Sequence, residues 1–257
     1  MNPELLKSLK RIGWVSGLFF ALIMIISAVE RKQGSDVKTV DITIEKLPGG
    51  YLLINDEDVR ELINRSFGFD LEGQSLVNIN VNRIERVLED DPFVLNAEVN
   101  INARNQVQIE VTQREPILRV KDNNGLNYYV DKDGKKLPLS KHFTARVIVG
   151  TGSIAPHSPD FLERKQHTLK DIFQLTEVIL KDEFWKSLVE QIHMTNGEMI
   201  LVPKVGDQKI KFGRFENHDE KLWRLRKFYE EGIAYEGWQK YRTIDLRFKG
   251  QVVCEKR

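Results

Sequence analysis

Leu95 to Val111 reads LNAEVNINARNQVQIEV, and its alternation decides the fold of the chain's first half. Leu95, Ala97, Val99 and Ile101 fall on one side, with Asn96, Glu98 and Asn100 on the other. After Asn102 to Asn105, Val107, Ile109 and Val111 alternate with Gln108 and Glu110. A period of two with a polar turn between is a hairpin with one apolar face, which needs a cover. Upstream, Val81, Ile84, Val87 and Leu88 form a stripe at helical spacing that stops at Asp90, Asp91 and Pro92. A second stripe, Val59, Leu62 and Ile63, follows a capping residue, Asn55, and the acids Asp56, Glu57 and Asp58, predicting a helix near 56–66. Earlier still, Val40, Ile42 and Ile44 alternate with polar neighbours until Pro48, Gly49 and Gly50 break the strand. The order is strand, helix, helix, strand, strand, with both helices expected on one face of a small sheet: an α+β unit.

Downstream, Pro116 is expected to end the third strand and open a second, mixed α/β unit. Tyr128, Tyr129 and Val130 run into the hairpin signal Asp131-Lys132-Asp133-Gly134, then Leu137 and Leu139. Phe161 to Leu180 carries helical spacing in Leu169, Ile172, Phe173 and Ile179. Strands are expected at Val189–Met194, Met199–Val202 and Ile210–Phe212. Asn217 with Glu220 suggests a capping box before a helix bearing Leu222, Leu225 and Tyr229. Tyr241–Phe248 and Gln251–Cys254 are two further strand candidates, separated by Lys249 and Gly250.

The chain has 257 residues, 41% hydrophobic and 30% charged, a soluble average that hides one exception. From Ile12 to Val29, IGWVSGLFFALIMIISAV, there is no charge, the lower limit for a helix crossing a hydrocarbon core about 30 Å thick. The run is longer than the apolar part of a signal peptide, about 7–15 residues, and passes straight into Glu30, Arg31 and Lys32, so it reads as a retained anchor rather than a cleaved signal or a core helix. Lys7, Lys10 and Arg11 place the head in the cytoplasm and the bulk outside. The expected layout is head 1–11, transmembrane helix 12–29, linker 30–37, first domain 38–118 and second domain 119–257. With the head's three bases and one acid set aside, 36 basic residues face 37 acidic ones, which argues against a nucleic-acid binder. A lone Cys254 excludes an intrachain disulfide and any multi-cysteine metal site.

Chemistry-bearing motifs fail on context. Gly150, Thr151, Gly152 and Ala155 have the spacing of a dinucleotide fingerprint, but Pro156 and Pro159 interrupt the helix it must open. The histidines at 142, 157, 167, 193 and 218 show no ligand spacing. Asp131 to Gly134 lacks the third acid and distal Glu of a calcium loop. No nucleophile motif occurs. No catalytic residue, cofactor, metal or small-molecule substrate is therefore expected.

The remaining signal is a surface for a partner. In Arg242 to Phe248, Ile244, Leu246 and Phe248 alternate with Thr243, Asp245 and Arg247. If this segment, or Val252 and Val253 after it, lies at a sheet edge, its backbone can accept a partner strand, with Arg247 and Phe248 giving specificity. An internal strand without a ligand fits the same pattern.

Taken in order, several pieces resemble the FtsQ/DivIB family of cell-division proteins. They are Asp91-Pro92-Phe93-Val94 with Ala97-Glu98-Val99, Arg114-Glu115-Pro116-Ile117, Tyr129 to Gly134, Val147-Ile148-Val149 before Gly150, and Ile244-Asp245-Leu246-Arg247-Phe248. The resemblance covers essentially the whole chain. It implies an N-terminal transmembrane helix, a POTRA domain (β-α-α-β-β) and a C-terminal mixed "β domain". It further implies a non-enzymatic, single-pass inner-membrane scaffold of the septum that binds FtsB- and FtsL-like coiled-coil division proteins. In the family the partner adds beside the last sheet strand, which carries the contact over to Asp245, Leu246, Arg247 and Phe248, with Val252 and Val253 beside them. Two positions depart from the pattern: Gln113 stands where an acid commonly precedes the Arg, and Phe248 replaces a common Tyr, keeping an apolar contact without the hydroxyl. Two rival readings exist. A POTRA-bearing protein of outer-membrane assembly or secretion would carry repeated units or a barrel. A membrane-anchored extracytoplasmic enzyme would need a convergent set of polar residues.

Overall fold

The computed structural model describes residues 13–25, 27, 35–233, 237 and 240–257, and the chain divides into two units between Gln113 and Arg114. Residues 13–25 are helical with every side chain exposed. At about 1.5 Å per residue this stretch covers about 20 Å, and among the described residues no helix is long and apolar enough to cross a membrane. The expected head, residues 12, 26, 28 and 29 of the expected span, and residues 30–34 of the expected linker lie outside the described residues.

In the first unit, β1 (Thr39–Ile44) is followed by α1 (Asp56–Phe67), α2 (Val81–Glu89), β2 (Val94–Ile101) and β3 (Gln106–Gln113). The strands order as β1-β3-β2, with β1 parallel and β2 antiparallel to the central β3. α1 starts at the expected cap: Asn55 accepts from Asp58 N while the Asp58 carboxylate accepts from Asn55 N, and Gly68 (φ 79°) closes the other end. Val59, Ile63, Ile84 and Leu88 from the helices bury against Val40, Val99, Val107, Ile109 and Val111 of the sheet. The start of the hairpin differs from the expected pattern. A register irregularity between Val94 and Asn96 buries Val94 to 1% exposure and leaves Leu95 half-buried. The extra residue of a bulge reverses which side chain faces inward, and strict alternation does not show it.

Gln113, the last residue of β3, is buried and ties the strand to the segment before α1. Its Oε1 accepts from Leu53 N at 2.7 Å and Ile54 N at 3.3 Å, and its Nε2 donates to Glu45 O at 2.7 Å.

The second unit contains β4 (Pro116–Asp122), β5 (Asn127–Asp131), β6 (Lys136–Leu137), β7 (Ile148–Gly152), α3 (Thr168–Leu180), α4 (Glu183–Leu188), β8 (Val189–Thr195), β9 (Glu198–Pro203), β10 (Lys209–Gly213), α5 (His218–Lys227), β11 (Tyr241–Asp245) and β12 (Val253–Lys256). Among the described residues its strands form one sheet in the order β12-β11-β10-β9-β8-β7-β4-β5-β6. The pairs β4–β7, β7–β8 and β10–β11 are parallel; α3 lies in the crossover from β7 to β8 and α5 in that from β10 to β11, while β4 reaches β7 through β5 and β6. Leu169, Ile172, Leu175, Ile179, Leu222 and Leu225 from those helices share one apolar cluster with Leu118, Ile192, Leu201, Phe212 and Ile244.

Three expectations are corrected here. Pro116 opens β4 instead of ending the preceding strand, which stops at Gln113; at the first position of a strand its missing N–H is tolerated. The helix expected from Phe161 begins at Thr168, because Arg164 and Lys165 leave Phe161 without apolar partners three and four residues on. Asn217 adopts a left-handed conformation (φ 51°) and forms no side-chain cap on α5, while Glu220 turns instead to Arg224.

The glycines of the trial fingerprint have packing roles. A Cβ on Gly152 (φ 96°) would lie 2.1 Å from Met194 O, and one on Gly150 would lie 3.3 Å from Ile172 Cγ2. The residues after Gly152 are not helical. At the Asp131 turn, the carboxylate accepts from the amides of Asp133 and Lys135 and pairs with Arg114 at 3.1 Å, as a hairpin turn requires.

Candidate functional site

β11 is an internal strand, bonded to β10 on one side and β12 on the other, so the last strand, Val253–Lys256, forms the sheet edge. Asp245 ends β11, pairs with Val253 across the ladder and is 7% exposed. Leu246 is wholly buried in the core, and Val252 packs partly against it. Arg247 is half-exposed and Phe248 is 51% exposed where the chain turns toward β12; Val253, on the edge strand, is also exposed. The six residues therefore separate: Phe248 and Val253 present apolar surface, Arg247 presents charge, and Asp245, Leu246 and Val252 support them.

Arg247 is held on three sides. Its Nε and Nη2 donate to the Asp245 carboxylate at 3.0 and 2.6 Å, its own amide donates to Asp245 Oδ1, and Nη1 reaches Glu198 at 2.9 Å. Burial pushes the Asp245 carboxyl up, but the hydrogen bonds from the Arg247 side chain and amide outweigh it and hold that carboxyl below the usual range. The same two carboxylates raise the guanidinium further above its ordinary value. Gly213 (φ 78°) makes room for the side chain, since a Cβ there would stand 2.9 Å from Arg247 Cγ.

Two cations from α5, not anticipated from sequence, hold the surrounding backbone. Lys221 Nζ donates to Arg214 O at 2.7 Å and lies over the Phe212 ring, and burial lowers its pKa. Arg224 donates to the carbonyls of Leu246, Phe248 and Gln251. In sequence Glu220 and Arg224 are an ordinary surface pair four apart; only the place of Arg224 between Leu222 and Leu225 hints otherwise.

The other sheet edges are short or carry side-chain bonds to individual backbone groups. Along β2, the outward amides of Val99 and Ala97 donate to Glu85 (2.9 Å) and Glu89 (3.4 Å) of α2. Along β1, Val40 O accepts from Arg60 of α1 at 2.7 Å, and Arg60 is itself paired with Glu72. β6 has only two residues. Among the described residues no side chain bonds the backbone of Val253–Lys256.

A family model described as FtsQ/DivIB, C-terminal related, matches residues 115–255, which span the nine-stranded sheet except the last residue of its edge strand. The chain belongs to that FtsQ/DivIB family. A POTRA-like domain model matches residues 37–112, the β-α-α-β-β unit. No curated protein matches the chain. Members of the family are non-enzymatic, division-associated scaffolds whose partners are proteins of the divisome.

Proposed function

We propose that this chain is a single-pass scaffold of the inner membrane at the division septum, linking early and late division proteins by taking a strand of an FtsB- or FtsL-like coiled-coil partner on the outer edge of β12. The observation that carries this reading is the contrast between edges. Carboxylates occupy two outward amides of β2, a guanidinium occupies one carbonyl of β1, and β6 is too short, whereas the outward groups of β12 have no side-chain partner among the described residues. An open edge beside exposed apolar side chains is how sheets accept an extended segment, with backbone bonds giving affinity and flanking side chains giving selectivity. Phe248, Val253 and Arg247 supply that flank.

The uncharged Ile12–Val29 run, with Lys7, Lys10 and Arg11 before it, supports a cytoplasmic N-terminus and an external bulk. The proposed layout is head 1–11, span 12–29 and linker 30–37, followed by the POTRA domain and, from Arg114 onward rather than from residue 119, the β domain, because β4 belongs whole to the second sheet. Capture of partners from detergent-solubilised membranes by the full chain tests the reading, wild type against Phe248→Glu. The wild type is expected to retain a coiled-coil division protein and the variant to lose it while keeping its melting temperature. A wild type that retains no division protein rejects the proposal.

A further inference from the structure

The connection between β11 and β12 runs from Leu246 to Val252 and turns at Lys249 and Gly250. Its own closing bond, Gln251 N to Phe248 O, is long at 3.4 Å. Much of its hold comes from one side chain below it. Arg224 Nη1 donates to Phe248 O at 2.9 Å and to Gln251 O, and Nη2 donates to Leu246 O at 3.0 Å. Glu220, one turn earlier on α5, accepts from Nη2 of the same guanidinium at 3.0 Å and lies 2.6 Å from Nε as an ion pair without a hydrogen bond from that nitrogen. The Arg224 side chain is 6% exposed, so a partner on the surface does not reach it.

We propose that Arg224 is a positioning residue for the partner: it fixes Leu246, Phe248 and Gln251 so that the Phe248 ring and the outer edge of β12 stand in one geometry before binding. This rests on the reading of β12 as the docking edge. Three carbonyls spaced along one turn match the planar, five-donor guanidinium and not an ammonium, which is a compact charge. A connection ordered in advance does not have to be ordered at the moment of association, so the benefit appears as affinity.

The test uses the full chain in detergent as wild type, Arg224→Lys and Glu220→Gln, read by amide hydrogen exchange and by affinity for the coiled-coil protein that the wild type retains. Arg224→Lys is expected to speed exchange across 248–256 by about tenfold while β8 and β9 keep their protection. It is also expected to weaken capture by about tenfold, because the connection then has to be ordered at the moment of binding. Glu220→Gln keeps the guanidinium and loosens only its orientation, so it should give a smaller change in the same direction, about threefold, even if Arg224→Lys fails to fold. A wild type that captures its partner, with variants that match it in exchange and affinity, overturns the role of Arg224 alone. Protection lost evenly through the second unit also overturns it, by showing general destabilisation. A wild type that captures nothing rejects the docking reading and, with it, the purpose assigned to Arg224.

Discussion

Replacing Gln113 by Met removes the hydrogen bonds that close the first unit while keeping a long unbranched side chain in place. Two amides, Leu53 N and Ile54 N, lose an acceptor at 2.7 and 3.3 Å, and Glu45 O loses a donor at 2.7 Å. Leu53 and Ile54 are 1% and 6% exposed, so water does not readily replace the lost acceptor, whereas Glu45 is exposed and its carbonyl can rehydrate. At about 1–3 kcal/mol for each buried group left short of a partner, the two amides cost about 3 kcal/mol and the carbonyl adds little. For a unit of this size, a melting temperature falls about 4–8 °C per kcal/mol, so the transition should drop by about 12–24 °C. Calorimetry of the full chain reads this, and exchange at the β3 amides assigns the change to the first unit. Gln113→Glu should cost less than Gln113→Met, because a carboxylate still accepts from both amides, while its other oxygen loses the bond to Glu45 O and is turned toward that carbonyl. A loss under about 1 kcal/mol for Gln113→Met would refute the reasoning, since it would mean that water or a shifted loop satisfies both amides.

Two further outcomes follow from the geometry. Glu85→Ala should free the Val99 amide, speed its exchange by about tenfold and permit strand-to-strand self-association visible by sedimentation, with Glu89→Ala weaker because its bond is longer; unchanged exchange at Val99 would count against the edge-guarding role. His167, buried first in the core and then facing the Arg164 charge, has its pKa pushed below the ordinary value. The unfolded chain therefore takes up a proton from about pH 6.5 downward while the folded chain resists, so this contribution is complete above pH 6.5 and falls away between there and the lower folded pKa. Urea unfolding at pH 7.5, 6 and 5 should show a shallower pH dependence for His167→Phe than for wild type, and equal slopes would exclude the effect.

Much of the fold is legible in the residues. The capping residue Asn55 with its following acids, the Val81 to Leu88 stripe and the Leu95–Val111 alternation each mark an element through a local rule, and the observed β-α-α-β-β order follows them. Where local rules mislead, a neighbour decides. Leu95 keeps the period but not the core position, because the bulge at Val94 depends on pairing with β3. Asn217 and Glu220 have capping-box spacing, yet the Glu220 carboxylate is taken by the buried guanidinium of Arg224.

The candidate site divides the same way. The sequence by itself determined that Ile244, Leu246 and Phe248 alternate with Thr243, Asp245 and Arg247, and that an apolar and a charged side chain would stand together near the C-terminus. Alternation has the same period in an internal strand and at an edge, so it could not say which strand is open. Only the tertiary structure decided that, by pairing Lys209–Lys211 with Thr243–Asp245 and leaving β12 outermost. It also decided that Arg224, a surface residue by its spacing, lies beneath the turn. Strand order and a buried charge's partners depend on groups tens of residues apart that only folding brings into contact.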